Sequence, residues 1–280
     1  MLGQHPALYA TPELGVFVAD RLADLGDVLP PEGRHGLLRA IAQIYTGEQT
    51  LDSVDTARRW IRRRALWSPE AVYHAIRQRI APLILVERCT GYSAPRHQDR
   101  LRRLAAAHPD ARYVHLVRHP LAQCRDWLRA PDAIQQLATL GAVDPAAGPG
   151  AIDPQFDWLY RHTGILDFLQ DIPAERRYTL QAEDLTASPT STLCGLCDWL
   201  MLERDLQTLD AMLHPERSPY ARPGPYGAES GLGTAFLAAP GYRHEPRQSA
   251  ALNQPLPWRR DGQGFVPELV ELARRLGYTD

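Results

Sequence analysis

Residues 111–128 constrain the fold of this chain more than any other segment, because a strand pattern there passes directly into a helix pattern. Apolar and β-branched residues at 113–117 predict a buried strand, and Pro120 suits the first turn of a helix. Arg118 lies between them at the carboxyl end of the strand, the edge where open α/β sheets bind ligands. Beside a helix N-terminus, this guanidinium is placed to hold a phosphate. Its alternative role is an ion pair with a surface carboxylate.

The same alternation continues along the chain. Strand patterns are predicted at about 7–10, 82–86, 112–117 and 178–181, and helix patterns at about 36–45, 51–64, 69–80, 98–107, 154–169, 188–200 and from Pro120 onwards. Strands that alternate with helices at this spacing are typical of a parallel sheet covered on both faces. The predicted fold class is therefore α/β, with a central parallel sheet in a three-layer arrangement.

The last part of the chain differs in composition from the rest. Residues 214–264 hold many Pro, Gly, Ser and Ala and show little periodicity, which is typical of a functional lid or a disordered tail. Apolar residues recur at helical spacing over 267–276 and a glycine follows, so we predict a C-terminal helix that packs back on the core. A helix that packs on the core after residues 214–264 favours a functional lid over a disordered tail. The predicted organisation is an α/β core at 1–213 and an extended lid segment at 214–280.

The charge balance argues against two classes of partner. The formal net charge is −2 and the pI is about 6.6, so no general attraction to nucleic acid or to an anionic membrane is expected. All 31 basic residues are arginine, which leaves no lysine for a P-loop or a Schiff base. We find neither a signal-peptide pattern nor an apolar run long enough to span a membrane, and we expect a cytoplasmic protein.

The cysteines do not form a recognisable framework. They are Cys89, Cys124, Cys194 and Cys197, and the last two form a CxxC inside an apolar stretch with helical spacing. No second pair or nearby histidine completes a zinc site, so we prefer a core role, with redox or metal use as the alternative. We therefore predict no metal site. Few cysteines without a framework are typical of a reducing compartment.

Several segments, taken in order, resemble one family. They are residues 2–6 (LGQHP) with 12–14 (PEL), 85–88 (LVER), 115–120 (HLVRHP), and 162–169 (HTGILDFL) with 183–185 (EDL). The set resembles sulfotransferases that use 3′-phosphoadenosine 5′-phosphosulfate, most closely the domains of bacterial polyketide pathways and more loosely the tyrosylprotein sulfotransferases. The likeness spans about residues 2–205. It implies a fold related to the P-loop nucleotide-binding proteins and a place in bacterial secondary metabolism.

The resemblance also implies residues that bind the sulfuryl donor. It assigns the donor's 3′-phosphate to Arg118, in agreement with the position of that residue after its strand. Asp126 occupies the second 3′-phosphate position, where the family usually has a serine. A carboxylate there repels a phosphate by about a kcal/mol or more at short range. Arg125 is next in sequence, but adjacent helical residues point about 100° apart.

The family also has a strand and a Gly/Ser/Thr-rich loop directly before the LGQHP segment. Backbone N–H groups of such a loop, with a helix N-terminus, cradle the 5′-phosphosulfate. This sequence starts at Met1, inside the matching helix. We therefore expect that the first strand and its loop are missing, through either a gene start placed too far downstream or a real loss. We also expect that this chain transfers sulfuryl groups poorly.

Sulfuryl transfer to a hydroxyl needs a base near the acceptor and positive charge near the leaving phosphate. Glu13 matches the catalytic glutamate of the tyrosylprotein enzymes, with an ordinary first-turn helix residue as the alternative. His162 matches a histidine of the polyketide-type domains, and a histidine's ordinary pKa of about 6.5 suits proton transfer. A core histidine is the alternative. Arg88, where the family commonly has lysine, is the candidate for stabilising transition-state charge, with a pair to Glu87 or Asp184 as the alternative.

These features together predict a sulfotransferase enzyme. It moves a sulfuryl group from 3′-phosphoadenosine 5′-phosphosulfate to a hydroxyl of a small or carrier-bound metabolite. The alternative is a truncated or degenerate, non-catalytic binding protein with the same fold. A nucleotide or phosphate transferase is disfavoured because no P-loop motif is present. Glu183 and Asp184 follow the last predicted strand, and we expect them to hold loops together rather than react.

Overall fold

The computed structural model describes residues 1–93, 99–129, 137–138, 142–143, 152–247 and 251–279. Its strands are β1 (Leu8–Thr11), β2 (Ile84–Glu87), β3 (Tyr113–Val117) and β4 (Arg177–Gln181). Its helices are α1 (Leu25–Val28), α2 (His35–Thr46), α3 (Leu51–Arg62), α4 (Pro69–Ile80), α5 (Asp99–Ala107), α6 (Pro120–Arg129), α7 (Pro154–Gln170), α8 (Ala182–Ala187), α9 (Pro189–Leu200), α10 (Leu206–Met212), α11 (Thr234–Ala238) and α12 (Pro267–Arg275).

The strands pair in parallel, as the alternation of strands and helices predicts. β1 pairs with β2, with Thr11 opposite Glu87, and β3 pairs with β4, with Val117 opposite Gln181. The carboxyl ends of each pair therefore meet at one edge, and the loops that follow both strands lie together there. The predicted α/β class with parallel strands is confirmed.

Several helices begin at caps that are visible in the sequence. Thr50 and Ser53 form a capping box at the start of α3. The Ser68 hydroxyl accepts a bond from a backbone N–H in the first turn of α4, and the Asp153 carboxylate does the same for α7. Such caps stabilise a helix by about 1 kcal/mol each. The helices predicted at 51–64, 69–80 and 154–169 are confirmed to within a few residues.

The chain divides into two compact units, and the first comprises Met1–Tyr92 with Thr190–Arg243. It contains the β1–β2 pair and helices α1 to α4. The buried ring of Phe17 packs edge-on against Tyr73, with ring centroids 5.3 Å apart. Arg39 of α2, which is 1% exposed, donates hydrogen bonds to the backbone carbonyls of Tyr220, Arg222 and Ser230. Residues of the predicted lid thus pack on α2 within this unit.

The second unit comprises Ser93–Pro189 with His244–Asp280 and contains the β3–β4 pair. Its core includes Val117, Leu121, Cys124, Trp158, Leu252, Leu256, Leu269, Val270 and Ala273. α12 contacts α7 and contributes several of these residues, so the C-terminal helix predicted from the sequence is confirmed and packs as expected. The division into a core at 1–213 and a lid at 214–280 stays a prediction.

The four cysteines, all within the described residues, are free thiols. Cys197 is fully buried, with its Sγ 3.9 Å from the Sδ of Met212, which agrees with the core role preferred for the CxxC. None of the helices in the described ranges combines the length and the apolar character that crossing a membrane requires.

Candidate active site

Glu13 lies at the edge where β1 and β2 end. It belongs to the loop after β1, before the short 3₁₀ turn Val16–Val18, so it is not the first-turn helix residue that was the alternative. Its Oε1 accepts a hydrogen bond from the Gly91 N–H at 2.6 Å, in the loop after β2. A Cβ at Gly91 would lie 2.7 Å from that oxygen, so a larger residue at position 91 would require the half-buried Glu13 side chain to shift.

Glu87 lies at the same edge. From the sequence it was considered only as a possible ion-pair partner of Arg88. Its Oε1 accepts a hydrogen bond from the Leu14 N–H at 2.6 Å. Its Oε2 is out of contact with solvent and has no hydrogen-bond partner in the described part of the chain. Burial, together with the nearby charge of Glu13, raises the pKa of Glu87 well above its ordinary value. The signal in the sequence was a glutamate directly after the strand predicted at 82–86.

Arg88 follows Glu87 and is exposed. Within the described ranges it forms no ion pair with Glu87 or Asp184. A Cβ built on Gly233 would lie 3.7 Å from its guanidinium, so the chain around Gly233 runs close to this side chain. Arg88 follows β2 as Glu13 follows β1, so both residues lie at the carboxyl ends of this strand pair. The transition-state role of Arg88 stays a prediction.

Arg118 lies at the carboxyl end of β3, in the second unit, as predicted. Its carbonyl accepts a hydrogen bond from the Trp158 indole at 3.0 Å, which fixes the backbone at the start of the turn into α6. Its guanidinium forms an ion pair with the Asp126 carboxylate on α6. Both side chains are nearly half exposed, so this pair contributes about 1 kcal/mol or less to stability. The surface pairing considered for Arg118 is thus present, and its partner is the second predicted phosphate residue.

Glu183 joins three segments at the same edge of the second unit. Its Oε1 accepts a hydrogen bond from the His119 N–H at 2.8 Å, and its Oε2 accepts one from the Tyr278 hydroxyl at 2.9 Å. Asp184, beside it, forms an ion pair with Arg247. The expectation that these two acidic residues hold loops together is confirmed. Glu183 in particular fixes the turn that follows Arg118.

His162 lies inside the second unit rather than at an exposed edge. It is 3% exposed, and its Nδ1 lies 2.8 Å from the Nε2 of His115, which is 4% exposed. The outer nitrogens, His115 Nδ1 and His162 Nε2, have no hydrogen-bond partner among the described residues. Burial lowers the pKa of His115 to about 4, and burial with the nearby His115 and Arg161 lowers that of His162. Both histidines are neutral at pH 7.

The histidine pair predicts that the protein loses stability in mild acid. Between the ordinary pKa of 6.5 and the folded-state value of about 4 for His115, the unfolded chain binds more protons than the folded protein. The stability that the neutral His115 contributes is therefore fully present above pH 6.5, and it is lost as the pH falls towards 4. From His115 alone we expect a loss of roughly 2 kcal/mol between pH 8 and pH 5, measured by urea unfolding.

Substitutions of the two histidines separate their contribution to the pH dependence of stability from that of other titrating groups. The double substitution His115→Leu with His162→Leu removes two unsatisfied nitrogens and is expected to flatten the pH dependence with little loss of stability at pH 8. His74→Leu, at an exposed position of α4, serves as the control and should leave the pH dependence unchanged. A double variant that keeps the wild-type slope would contradict the burial of these rings as neutral groups.

The structure thus groups the predicted residues by unit. Glu13 and Arg88 lie at the edge of the first unit, whereas Arg118 and Asp126 lie at the edge of the second, and His162 is buried within the second. Within the described ranges, no three His, Cys, Asp or Glu side chains are grouped in a way that can hold a metal ion.

Comparison with known proteins identifies the family. Residues 1–205 match the model of a sulfotransferase family. The sulfotransferase domain from the curacin biosynthetic pathway superposes with a TM-score of 0.72 and 21% identity, covering 99% of this chain and 91% of that domain. The sulfotransferase domain of the Synechococcus PCC 7002 olefin synthase gives a TM-score of 0.71 and 20% identity, covering 100% and 88%. No curated protein matches the chain in sequence. Since the family model matches most of its length, the chain belongs to the sulfotransferase family.

Proposed function

We propose that this protein transfers a sulfuryl group from 3′-phosphoadenosine 5′-phosphosulfate to a hydroxyl of a small or carrier-bound metabolite. The observation that carries the proposal is Arg118, a guanidinium at the carboxyl end of a parallel strand and at the start of a helix. Its contact with residue 126 supports a common 3′-phosphate site, because these are the two positions that the family resemblance assigns to that phosphate.

The residues fit the donor only in part. Arg118 supplies the paired N–H donors that a phosphate prefers. Asp126 opposes the phosphate, because its carboxylate already holds the guanidinium and repels a second anion by about a kcal/mol or more. Donor binding therefore requires that Arg118 leave Asp126 or hold both groups. We expect weak binding for this reason.

In the proposed reaction the acceptor oxygen attacks sulfur while the bond from sulfur to the 5′-phosphate oxygen breaks. The hydroxyl proton passes to a base, and the electron pair of the broken bond leaves with the phosphate. Arg88 is the proposed group that stabilises the charge developing on that oxygen, since it is exposed and free of ion pairs in the described residues. Arg118 is the proposed ligand of the donor's 3′-phosphate.

Glu13 is the proposed base. Its carboxylate is half-buried, accepts a hydrogen bond from the Gly91 N–H and lies at the carboxyl ends of β1 and β2, where open α/β sheets bind ligands. His162 is less suited, because a ring that is 3% exposed and bonded to His115 has no direct access to an acceptor from solvent. Its lowered pKa also makes it a weaker base than an ordinary histidine.

The acceptor class rests on the structural neighbours. Their names place them in the curacin biosynthetic pathway and in an olefin synthase, which supports a biosynthetic metabolite as the acceptor. The slightly negative net charge gives no support to nucleic acid or an anionic membrane as a partner. We also propose a cytoplasmic location, supported by four free thiols.

A non-catalytic binding protein of the same fold is the second candidate. The Arg118–Asp126 pair favours it, because the charge that should attract the donor is already neutralised within the chain. In this role the protein would keep the family's sheet edges without binding the donor.

Transfer of a labelled sulfuryl group tests the proposal. The protein is incubated with ³⁵S-labelled donor and a panel of aryl, alkyl and carrier-bound hydroxyls, and the products are separated by chromatography. Label on a hydroxyl acceptor, in proportion to protein and absent after heat treatment, is the expected result. Absence of label on every acceptor, in a folded sample, would favour the non-catalytic candidate.

A further inference from the structure

Two glutamates exchange contacts across the edge of the first unit. Glu13, in the loop after β1, accepts a hydrogen bond from Gly91 in the loop after β2. Glu87, at the end of β2, accepts one from Leu14 in the loop after β1. Both N···O distances are 2.6 Å. The Glu87 carboxyl group therefore fixes the loop that carries Glu13. The Glu13 carboxyl group, in turn, fixes the loop that follows Glu87.

The surroundings of Glu87 favour the neutral acid over the carboxylate. Oε1 accepts a hydrogen bond from the Leu14 N–H, and the nearby Gly15 N–H also favours the charged form, but Oε2 is shielded from water and has no hydrogen-bond partner among the described residues. A charged carboxyl group in that position would lose its hydration, and the two backbone amides compensate for only part of that loss. The titratable groups that act on it are Glu13, Cys89 and Tyr92. None of them offers a positive charge, and the adjacent Arg88 is exposed.

This environment favours the protonated form of Glu87. Burial raises the pKa of Glu87 well above its ordinary value, and the charge of Glu13 raises it further. Burial also raises the pKa values of the neighbouring Cys89 thiol and Tyr92 phenol, so both stay neutral at pH 7. Pairs of carboxyl groups with unequal surroundings commonly divide acid and base roles.

We propose that Glu87 is a positioning residue for Glu13, one that carries a proton at neutral pH and holds the Leu14 amide so that the Glu13 carboxylate stays bound to Gly91. This inference rests on the proposed function of Glu13 as the base. The negative charge of the pair resides on Glu13, the group that takes the acceptor's proton. Glu87 itself touches no reacting atom.

Two substitutions of Glu87 separate the role of its hydrogen bond to the Leu14 N–H from the role of its proton. Glu87→Gln keeps an oxygen for the Leu14 N–H and carries no charge, whereas Glu87→Ala removes the acceptor. Amide hydrogen exchange is then measured at Leu14 and Gly91. In Glu87→Ala we expect exchange to accelerate by about tenfold at both amides, and in Glu87→Gln at neither.

The Gly91 amide is the informative one, because Glu13 and not Glu87 binds it. Faster exchange at Leu14 alone would show that Glu87 acts only on its own partner, and would overturn the positioning role. Glu175→Gln, at an exposed position of the second unit, is the control and should leave both amides unchanged.

The pH dependence of unfolding tests the proton and needs no turnover and no foldable alanine variant. A carboxyl whose pKa is raised in the folded state contributes stability at low pH, and this stability is lost as the pH rises towards the folded pKa. The unfolding midpoint of the wild type should therefore fall relative to that of Glu87→Gln as the pH rises from 5 to 9. A difference that stays constant with pH would show that Glu87 is not protonated, and would overturn the proposal.

Kinetics extend the test where the wild type turns over. Glu87→Ala should lower kcat by about tenfold with KM nearly unchanged, and Glu87→Gln should restore it. A Gln variant as inactive as the Ala variant would contradict the proposal. If the wild type transfers no sulfuryl group, the proposed function fails on its own, and the exchange and unfolding measurements still decide the role of Glu87.

Discussion

Glu13→Gln should lower the rate of sulfuryl transfer by about 10² to 10⁴, the usual contribution of a general base. The amide keeps an oxygen for the Gly91 N–H, so the loop after β1 should hold its position while the proton acceptor is lost. Affinity for 3′-phosphoadenosine 5′-phosphate should change little, because binding this nucleotide does not involve proton transfer to the base. The measurement is single-turnover transfer of ³⁵S label, with calorimetry for the nucleotide.

His162→Gln is the matched comparison for this prediction. We expect at most a few-fold effect on transfer, because the ring is buried against His115 and Trp158. If His162→Gln lost as much activity as Glu13→Gln while keeping the wild-type unfolding midpoint, the base would be His162. That result would assign Glu13 to a structural role.

Asp157→Ala should destabilise the protein by about 3 to 5 kcal/mol, because it removes the buried carboxylate that pairs with the buried Arg161 guanidinium. Asp157 and Arg161 lie one turn apart on α7, with side chains 0% and 8% exposed and an O···N distance of 2.9 Å. Arg161 also donates to the Ser93 hydroxyl at 3.1 Å, which cannot neutralise its charge. The measurement is urea unfolding at pH 7.5.

A surface pair on another helix controls for the loss of a helical ion pair. Asp55 and Arg58 of α3 are 2.7 Å apart, and both side chains are well exposed, at 56% and 40%. Asp55→Ala should cost less than about 1 kcal/mol. The double variant Asp157→Leu with Arg161→Met should recover most of the stability, since apolar residues often replace a buried pair without loss. Equal effects of Asp157→Ala and Asp55→Ala would contradict the burial argument.

The backbone of the candidate site could be predicted from local sequence. The β-branched run before Arg118, the proline after it and the caps before α3, α4 and α7 each act within a few residues. Parallel pairing then followed from the alternation of strands and helices. The loops bearing Glu13 and Arg118 were thereby predicted to follow strands, and they do so in the structure.

The partners of those side chains could not be predicted, because they depend on contacts between distant segments. His115 and His162 pair across 47 residues of chain, from β3 to α7, and neither sequence neighbourhood indicates the other. The contacts of Glu87 and Leu14 likewise need the register of β1 and β2. Asp126 was predicted to face a bound phosphate, and its actual partner is the arginine that was predicted to share that phosphate.

Calorimetric titration with 3′-phosphoadenosine 5′-phosphate of the wild type, Arg118→Ala and Asp126→Ser tests the central claim most directly. If Arg118 is the phosphate ligand and Asp126 competes for it, the wild type binds weakly. Asp126→Ser then binds about tenfold more tightly or better, a gain of about 1.4 kcal/mol that matches the removed repulsion. Arg118→Ala does not bind. Equal affinity in all three proteins, or no binding by folded Asp126→Ser, would contradict a donor site at Arg118.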